Sequence, residues 1–394
     1  MPQRSRIAAE GLDRFEGHGD RVRKKTVVIE RLDDSFANVD PQEAYRAALD
    51  AGIVVHRIDP LNGETPLEAL RDELTPNARF YVRNHFGIPN LDASSWRLHV
   101  GGLVQNRLEL TLNDLQNIPA HERVATLECA GNGRASLEPQ VAGEPWRFGA
   151  VSAAQWTGVP LVEVLDRAGI KAQACELVFR GADRGQLHEG GDTIYFERSL
   201  SVETARSCGA LLAYAMNGEP LPPVHGYPLR VVVPGWYAMA SVKWLTEIEA
   251  VSRPFTGHYQ SDTYFFEAER DGRVVREPAR LQRVRSLILE PAPRVQVARG
   301  ELVVRGVAWS GAAPIVSVEV SVSGGPWQKA RCNGQAAPGA LTSWEAIVRV
   351  DGSGEASLRA RATDQTGATQ PETPPWNRLG YGNNAVHEVR VQAS

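Results

Sequence analysis

One stretch of this chain joins a soft nucleophile to turn-forming glycines and a cation: Thr126-Leu127-Glu128-Cys129-Ala130-Gly131-Asn132-Gly133-Arg134. The β-like run Arg123 to Leu127 delivers Cys129 into a loop whose glycines let backbone come close to a ligand. An arginine five residues on favours the thiolate, the form of cysteine that attacks electrophiles or binds metals. Taken alone, Cys129 is either an inert buried thiol or an activated one. Phe80-Tyr81-Val82-Arg83-Asn84-His85 puts an arginine and a histidine two residues apart, on one face of an extended segment. A polar series, His225-Gly226-Tyr227-Pro228-Leu229-Arg230, runs into the apolar Val231-Val232-Val233 and is followed by Ser241-Val242-Lys243-Trp244. No GxSxG elbow, HExxH pair or Walker A loop accompanies them. Gly131 to Ser136 begins like a dinucleotide fingerprint but lacks its third glycine and a surrounding βαβ unit. His188-Glu189 reads as a surface loop.

The elements that must position these residues are mixed. Asp40 can cap a helix with Pro41 in its first turn and Glu43 completing a capping box, and Gly52 ends it. Thr65-Pro66-Leu67-Glu68 repeats that start signal. From about residue 79 to 250, short β-like runs (Trp96 to Val100, Glu176 to Phe179, Leu229 to Val233, Ser241 to Ile248) alternate with loops, and Pro160 to Ala168 is a helix stopped by Gly169. Without a regular βαβ repeat the expected class is α+β. After about residue 280 period-2 alternation takes over. Val316, Val318, Val320 and Val322 fall on one face, and further runs stand at Glu301 to Trp309, Trp344 to Val350, Ala356 to Ala362 and Val386 to Val391. Turn residues separate them, so an all-β, immunoglobulin-like sandwich of roughly 110 residues is expected. The charged stretch Glu267 to Pro278 is the expected join. The boundaries read as an N-terminal arm and helix over 1–58, a catalytic domain over 59–270 and the sandwich over 275–394.

Composition excludes several classes. The chain has 394 residues, enough for two or three domains. Forty-three Lys and Arg against 47 Asp and Glu give a net charge of -4, which argues against a generic nucleic-acid binder. Arg21, Arg23, Lys24 and Lys25 read as a solvated arm rather than a nucleic-acid site, because acidic residues crowd them. No run of about 18 apolar residues marks a membrane span. Four cysteines at 129, 175, 208 and 332 fit neither a zinc site, a c-type haem motif nor a disulfide scaffold. With no secretory pattern at the N-terminus, a cytoplasmic location is expected.

The cysteine loop, the Phe80–His85 segment, Leu211 to Pro222 (including Asn217-Gly218-Glu219-Pro220), His225 to Gly235, Ser241 to Leu245 and Trp376-Asn377-Arg378-Leu379-Gly380 near Asn384 and His387 stand in the order seen in one family. Together they resemble the sulfite oxidase family of molybdenum-cofactor enzymes, with the cofactor domain over roughly 75–265 followed by a dimerisation domain. The resemblance implies that Cys129 is the thiolate ligand of molybdenum, a soft donor suited to a metal already held by a pterin dithiolene. It implies that Tyr81, Val82, Arg83, Asn84, His85, Asp183, His225, Arg230, Ser241, Val242 and Lys243 contact the molybdopterin. It also implies that Arg83, Arg134, Trp146 and Tyr264 line an anion site, with Arg378 as a further cation from the C-terminal domain. The chain departs from the family at Gly133, where a second arginine often stands, and at Ala142, which aligns with a pocket lysine; the family arginine near Arg378 stands one position away. The implied activity is oxidation of sulfite to sulfate by a homodimer. With no haem domain or haem motif in the chain, electrons would pass to a separate acceptor, a cytochrome or dioxygen. Nitrate reduction, oxidation of another sulfur species as in sulfane dehydrogenases, and a non-catalytic binding scaffold are the alternatives.

Overall fold

The computed structural model describes residues 37–333, 339–374 and 376–394. The basic cluster at Arg21 to Lys25 lies outside them. Helix Pro41–Asp50 starts where the caps predict: the Asp40 side chain accepts from the Gln42 N–H, and Gly52 turns the chain out at φ +80°. The second start signal yields only a 3₁₀ turn, Leu67–Leu70, with no side-chain cap. Thr65 is drawn instead into the interior, where its hydroxyl meets Ser152 Oγ at 2.6 Å and donates to the Arg79 carbonyl.

Two five-stranded sheets, together with a three-stranded one (Val54–Arg57, Asn62–Glu64, Val82–Arg83), build the α+β part. One runs Glu219–Pro220, Leu211–Met216, Val151–Pro160, His121–Glu128, with Arg230–Val232 also on Leu211–Met216. The other runs Leu108–Leu110, Leu98–Gly102, Leu245–Val251, Glu176–Gln186, Thr193–Ser201. All pairings are antiparallel except Leu98–Gly102 with Leu245–Val251. Helix Leu161–Ala168 packs four apolar residues inward and ends on Gly169 at φ +65°. Ser241 does not open a strand as expected: it closes a 3₁₀ turn, Ala238–Ala240, and the strand begins at Leu245.

The C-terminal part is an all-β sandwich of a four-stranded and a five-stranded sheet around a core that includes Val304, Val318, Trp344 and Leu358. The valine stripe holds at Val318 and Val320, but Val316 is 58 % exposed, because a register shift between Ile315 and Ser317 breaks the alternation. The charged stretch before the sandwich is not an open join but a hairpin, Phe265–Arg270 against Arg273–Pro278. Leu70, Val151 and Ala153 pack with Leu287, Val307 and Trp309 in one apolar cluster, so both parts belong to a single compact unit. Among the described residues no helix is long and apolar enough to cross a membrane.

Candidate active site: a cationic cleft around Cys129

Strand His121–Glu128 ends by handing Cys129 to the edge of a cleft whose wall also draws on residues near 80–85, 183, 225–243 and 264. The Cys129 N–H is tied to the Ala150 carbonyl at 2.9 Å, and its own carbonyl accepts from Asn132 at 2.9 Å. Ten of the expected site residues line this one cleft: Tyr81, Arg83, His85, Cys129, Asp183, His225, Arg230, Ser241, Lys243 and Tyr264. Sequence spacing put Arg83 and His85 on one face, and both reach it.

Three of the expected cofactor residues do not line the cleft. Val82 and Val242 are core side chains, and Asn84 is spent on support. Its side-chain oxygen accepts from Lys243 Nζ, its amide donates to the Leu61 carbonyl at 3.1 Å, and its N–H is held by Asn62 Oδ1 at 2.8 Å. Arg134 and Trp146 stand behind the wall. The Arg134 guanidinium donates to the carbonyls of Glu144 (2.9 Å) and Leu379 (3.2 Å) and lies over the Tyr381 ring. Gly131, Gly143 and Gly380 wrap it so closely that a Cβ on any of them would meet the side chain within 3 Å. Trp146 is fully buried in the cluster that contains Cys129, its indole N–H without a partner. Arg378 does not join the site: it is 49 % exposed at the side chain and pairs with Glu267 at 2.9 Å.

Charge is lopsided here. Arg83, Arg134, Arg198, Arg230 and Lys243 are buried or half-buried, and among the described residues none forms an ion pair with a carboxylate. Glu128 is paired with Arg285 at 3.0 Å and Glu144 with Arg57 at 2.8 Å, so both are already committed. Asp183 is the one acid on the cleft wall. Burial pushes its carboxyl up to about 7 against the pull of Lys243, and its Oδ1 has no partner. Burial likewise depresses Lys243 far below its usual range and His225 to about 3. Burial raises the Cys129 thiol, while Arg83 and then Arg134 pull it back.

Tyr264 takes φ +59°, an outlier for an aromatic residue of the kind that clusters at functional sites. Its hydroxyl lies 2.7 Å from His85 Nε2, its carbonyl accepts from Ala279 at 2.8 Å, and its ring stacks on Tyr381 at 5.0 Å. Burial, with Arg83 next, holds His85 well below the ordinary imidazole range, so it is neutral near pH 7. Sequence reasoning missed Tyr381, Arg198 and Arg285. Tyr381 is signalled only by the glycines on either side of it. Gly133, at φ +83°, has no room for the family's second arginine, because a Cβ there would stand 2.6 Å from Arg285 Nη2.

Among the described residues no three His, Cys, Asp or Glu side chains gather to hold a metal. Cys129 can therefore supply one ligand to a metal that brings its others with it. A pterin-borne molybdenum fits that donor set: one soft sulfur, an unpartnered Asp183 oxygen for ring N–H groups, and the unpaired Arg230 and Lys243 for a phosphate.

Known proteins bear on this geometry. Residues 85–259 match the oxidoreductase molybdopterin binding domain and 279–394 the Mo-co oxidoreductase dimerisation domain. Mitochondrial sulfite oxidase of Rattus norvegicus is 36% identical over 84% of the chain, and the chain spans 64% of that relative. Sulfite oxidase of Gallus gallus is 38% identical over 90% of the chain and 79% of its own length. An NADH nitrate reductase of Hordeum vulgare is 33% identical over 84% of the chain but only 40% of its own. The sulfane dehydrogenase SoxCD of Paracoccus pantotrophus superposes with a TM-score of 0.75 at 28% identity, covering 95% of this chain and 97% of that one. A cysteine set among unpaired buried cations, in a chain alike over most of its length to these enzymes, places it in the sulfite oxidase family of molybdopterin oxidoreductases.

Proposed function

We propose that this chain oxidises sulfite to sulfate, working as a homodimer and passing electrons to a separate acceptor. The cation excess around Cys129 carries the reading. A buried charge without a partner costs several kcal/mol, so five such groups around one cleft call for anions, on the cofactor and on the substrate. Cys129 would ligate the metal. Arg230 and Lys243 would hold the cofactor phosphate, and Tyr81, Asp183, His225 and Ser241 the remainder of the pterin. When bound, that group supplies two-electron oxygen-atom transfer.

The chain's own residues do the rest. Arg83, on the cleft wall, binds and orients the anion, an attraction of about 1–4 kcal/mol per unit charge at about 4 Å. Arg134, locked behind the wall, adds field without moving. The neutral His85, protonated at Nε2, donates to the Tyr264 oxygen and leaves the phenol O–H free to donate to the substrate. A change of tautomer reverses that bond and lets the pair pass a proton. The apolar side chains of Phe80, Leu127, Phe196 and Met239 on the same wall exclude water and sharpen each of these interactions.

The test is a substrate panel on molybdenum-loaded protein. Sulfite should turn over with ferricyanide, and nitrate should not be reduced by a viologen dye. Nitrate reduction without sulfite oxidation would overturn the proposal. Oxidation of another sulfur species is a second reading, supported by the likeness to SoxCD over nearly the whole chain. It prevails if a sulfane substrate outpaces sulfite.

A further inference from the structure

Arg198 is counted among those five cations but given no contact of its own, yet it is an expensive residue to bury. It lies within strand Thr193–Ser201, is 2 % exposed, and donates from one guanidinium nitrogen to the Tyr259 carbonyl. Its Nε has no partner, and no carboxylate pairs with it among the described residues. Burial drags its pKa down to about 10. The guanidinium stands over the ring of Tyr264, 5.8 Å from its centroid. Tyr264 stacks on Tyr381, and the Arg134 guanidinium stands over Tyr381 at 5.3 Å. The four groups form a series, cation, ring, ring, cation, with the Tyr264 hydroxyl reaching His85 at the cleft. Favourable cation–π contact at both ends fixes the two rings, but the charges themselves stay unneutralised.

We propose that Arg198 is the third cation of the anion site, a positioning residue that acts through Tyr264 and tunes the site toward dianionic oxyanions over monoanions. It takes the place that Arg378, spent on Glu267, does not fill. The inference rests on the reading of the cleft as an anion site. The guanidinium stands over the Tyr264 ring, whose hydroxyl lies at the cleft, so it acts on a bound anion at longer range than direct contact; that attraction is weaker than a contact pair, and it scales with the anion's charge. A dianion therefore loses the square of the factor lost by a monoanion when the cation is removed.

The experiment uses the full, molybdenum-loaded chain with Arg198→Gln and Arg198→Lys. In R198Q the KM for sulfite and the dissociation constant for sulfate, measured by calorimetry, should both rise about tenfold, and that for nitrate about threefold, with kcat within about twofold of the parent. R198K, which keeps the charge, should recover most of the loss. Unchanged sulfite KM and sulfate binding in folded R198Q, equal losses for dianion and monoanion, or a fall in kcat alone would overturn the proposal. Should R198Q not fold, R198K decides: near-parental sulfate binding supports it, and a loss of tenfold or more sinks it. If sulfate binding weakens as expected but sulfite never turns over, the inference stands and the reaction assignment falls. If sulfite turns over with the same KM in R198Q and parent, the reverse holds.

Discussion

Removing Arg285 should reveal how the cysteine loop is held. Its guanidinium donates to Glu128 Oε1 at 3.0 Å and to the Asn132 carbonyl at 3.1 Å, with both side chains almost fully buried. Glu128 also accepts from Trp309 Nε1 at 3.0 Å and from Asn132 at 3.1 Å. Taking away one partner of a buried ion pair costs about 3–5 kcal/mol, because the other charge is left in the interior. Arg285→Met should destabilise by that amount in chemical unfolding followed by tryptophan fluorescence. The double variant Glu128→Gln with Arg285→Met leaves no stranded charge and keeps an acceptor for Trp309, so it should recover about 2–3 kcal/mol of the loss. Acidity supplies a second reading. Burial holds the Glu128 carboxyl above its ordinary 4.5, with Arg285 pulling it back, so losing Arg285 raises it further. A carboxyl with a raised pKa in the fold takes up its proton more readily there than in the unfolded chain, so stability falls as pH rises above 4.5. The R285M penalty should therefore shrink as pH drops from 7 toward 5. A loss below about 1 kcal/mol, or a penalty that grows in acid, would refute the reasoning.

Cys129→Ala should retain the fold but cut bound molybdenum from about one per chain to near zero by elemental analysis. Tyr264→Phe removes only the hydroxyl on His85, so turnover should fall by about a hundredfold while the melting temperature stays within a few degrees. Arg378→Gln should leave the sulfite KM within twofold of the parent, since its charge is already engaged by Glu267 at the surface.

Much of the site was legible because its chemistry depends on residue type. A cysteine among glycines, an Arg-x-His pair and a Ser-Val-Lys run keep their meaning whatever the backbone does around them, and all three reach the cleft. The strands were legible where alternation is unbroken, as in Ala356 to Ala362, where inward residues are buried in turn. What escaped depended on distant contacts. Val316 points outward because of a bulge against Thr363 and Asp364, which no local pattern encodes. Thr65 satisfies a helix cap by type but finds a better partner 87 residues away in Ser152. Arg198 carries no local signal and stands out only once the Tyr264 ring and the Tyr259 carbonyl appear beside it, and Arg378 reads as a site cation until Glu267 appears beside it.

The Asn383 amide bonds the Gly133 carbonyl at 2.7 Å, across 250 residues of chain. That single tie has a bearing on biosynthesis. A ribosome that has finished only the first part has made Cys129 but not the strap that shapes its loop, and translation at about 5–20 residues per second leaves a gap of many seconds between the two. Acquisition of the metal thus belongs after synthesis has passed Asn383, and a chain cut short of that residue has its cysteine present and its loop unmoored.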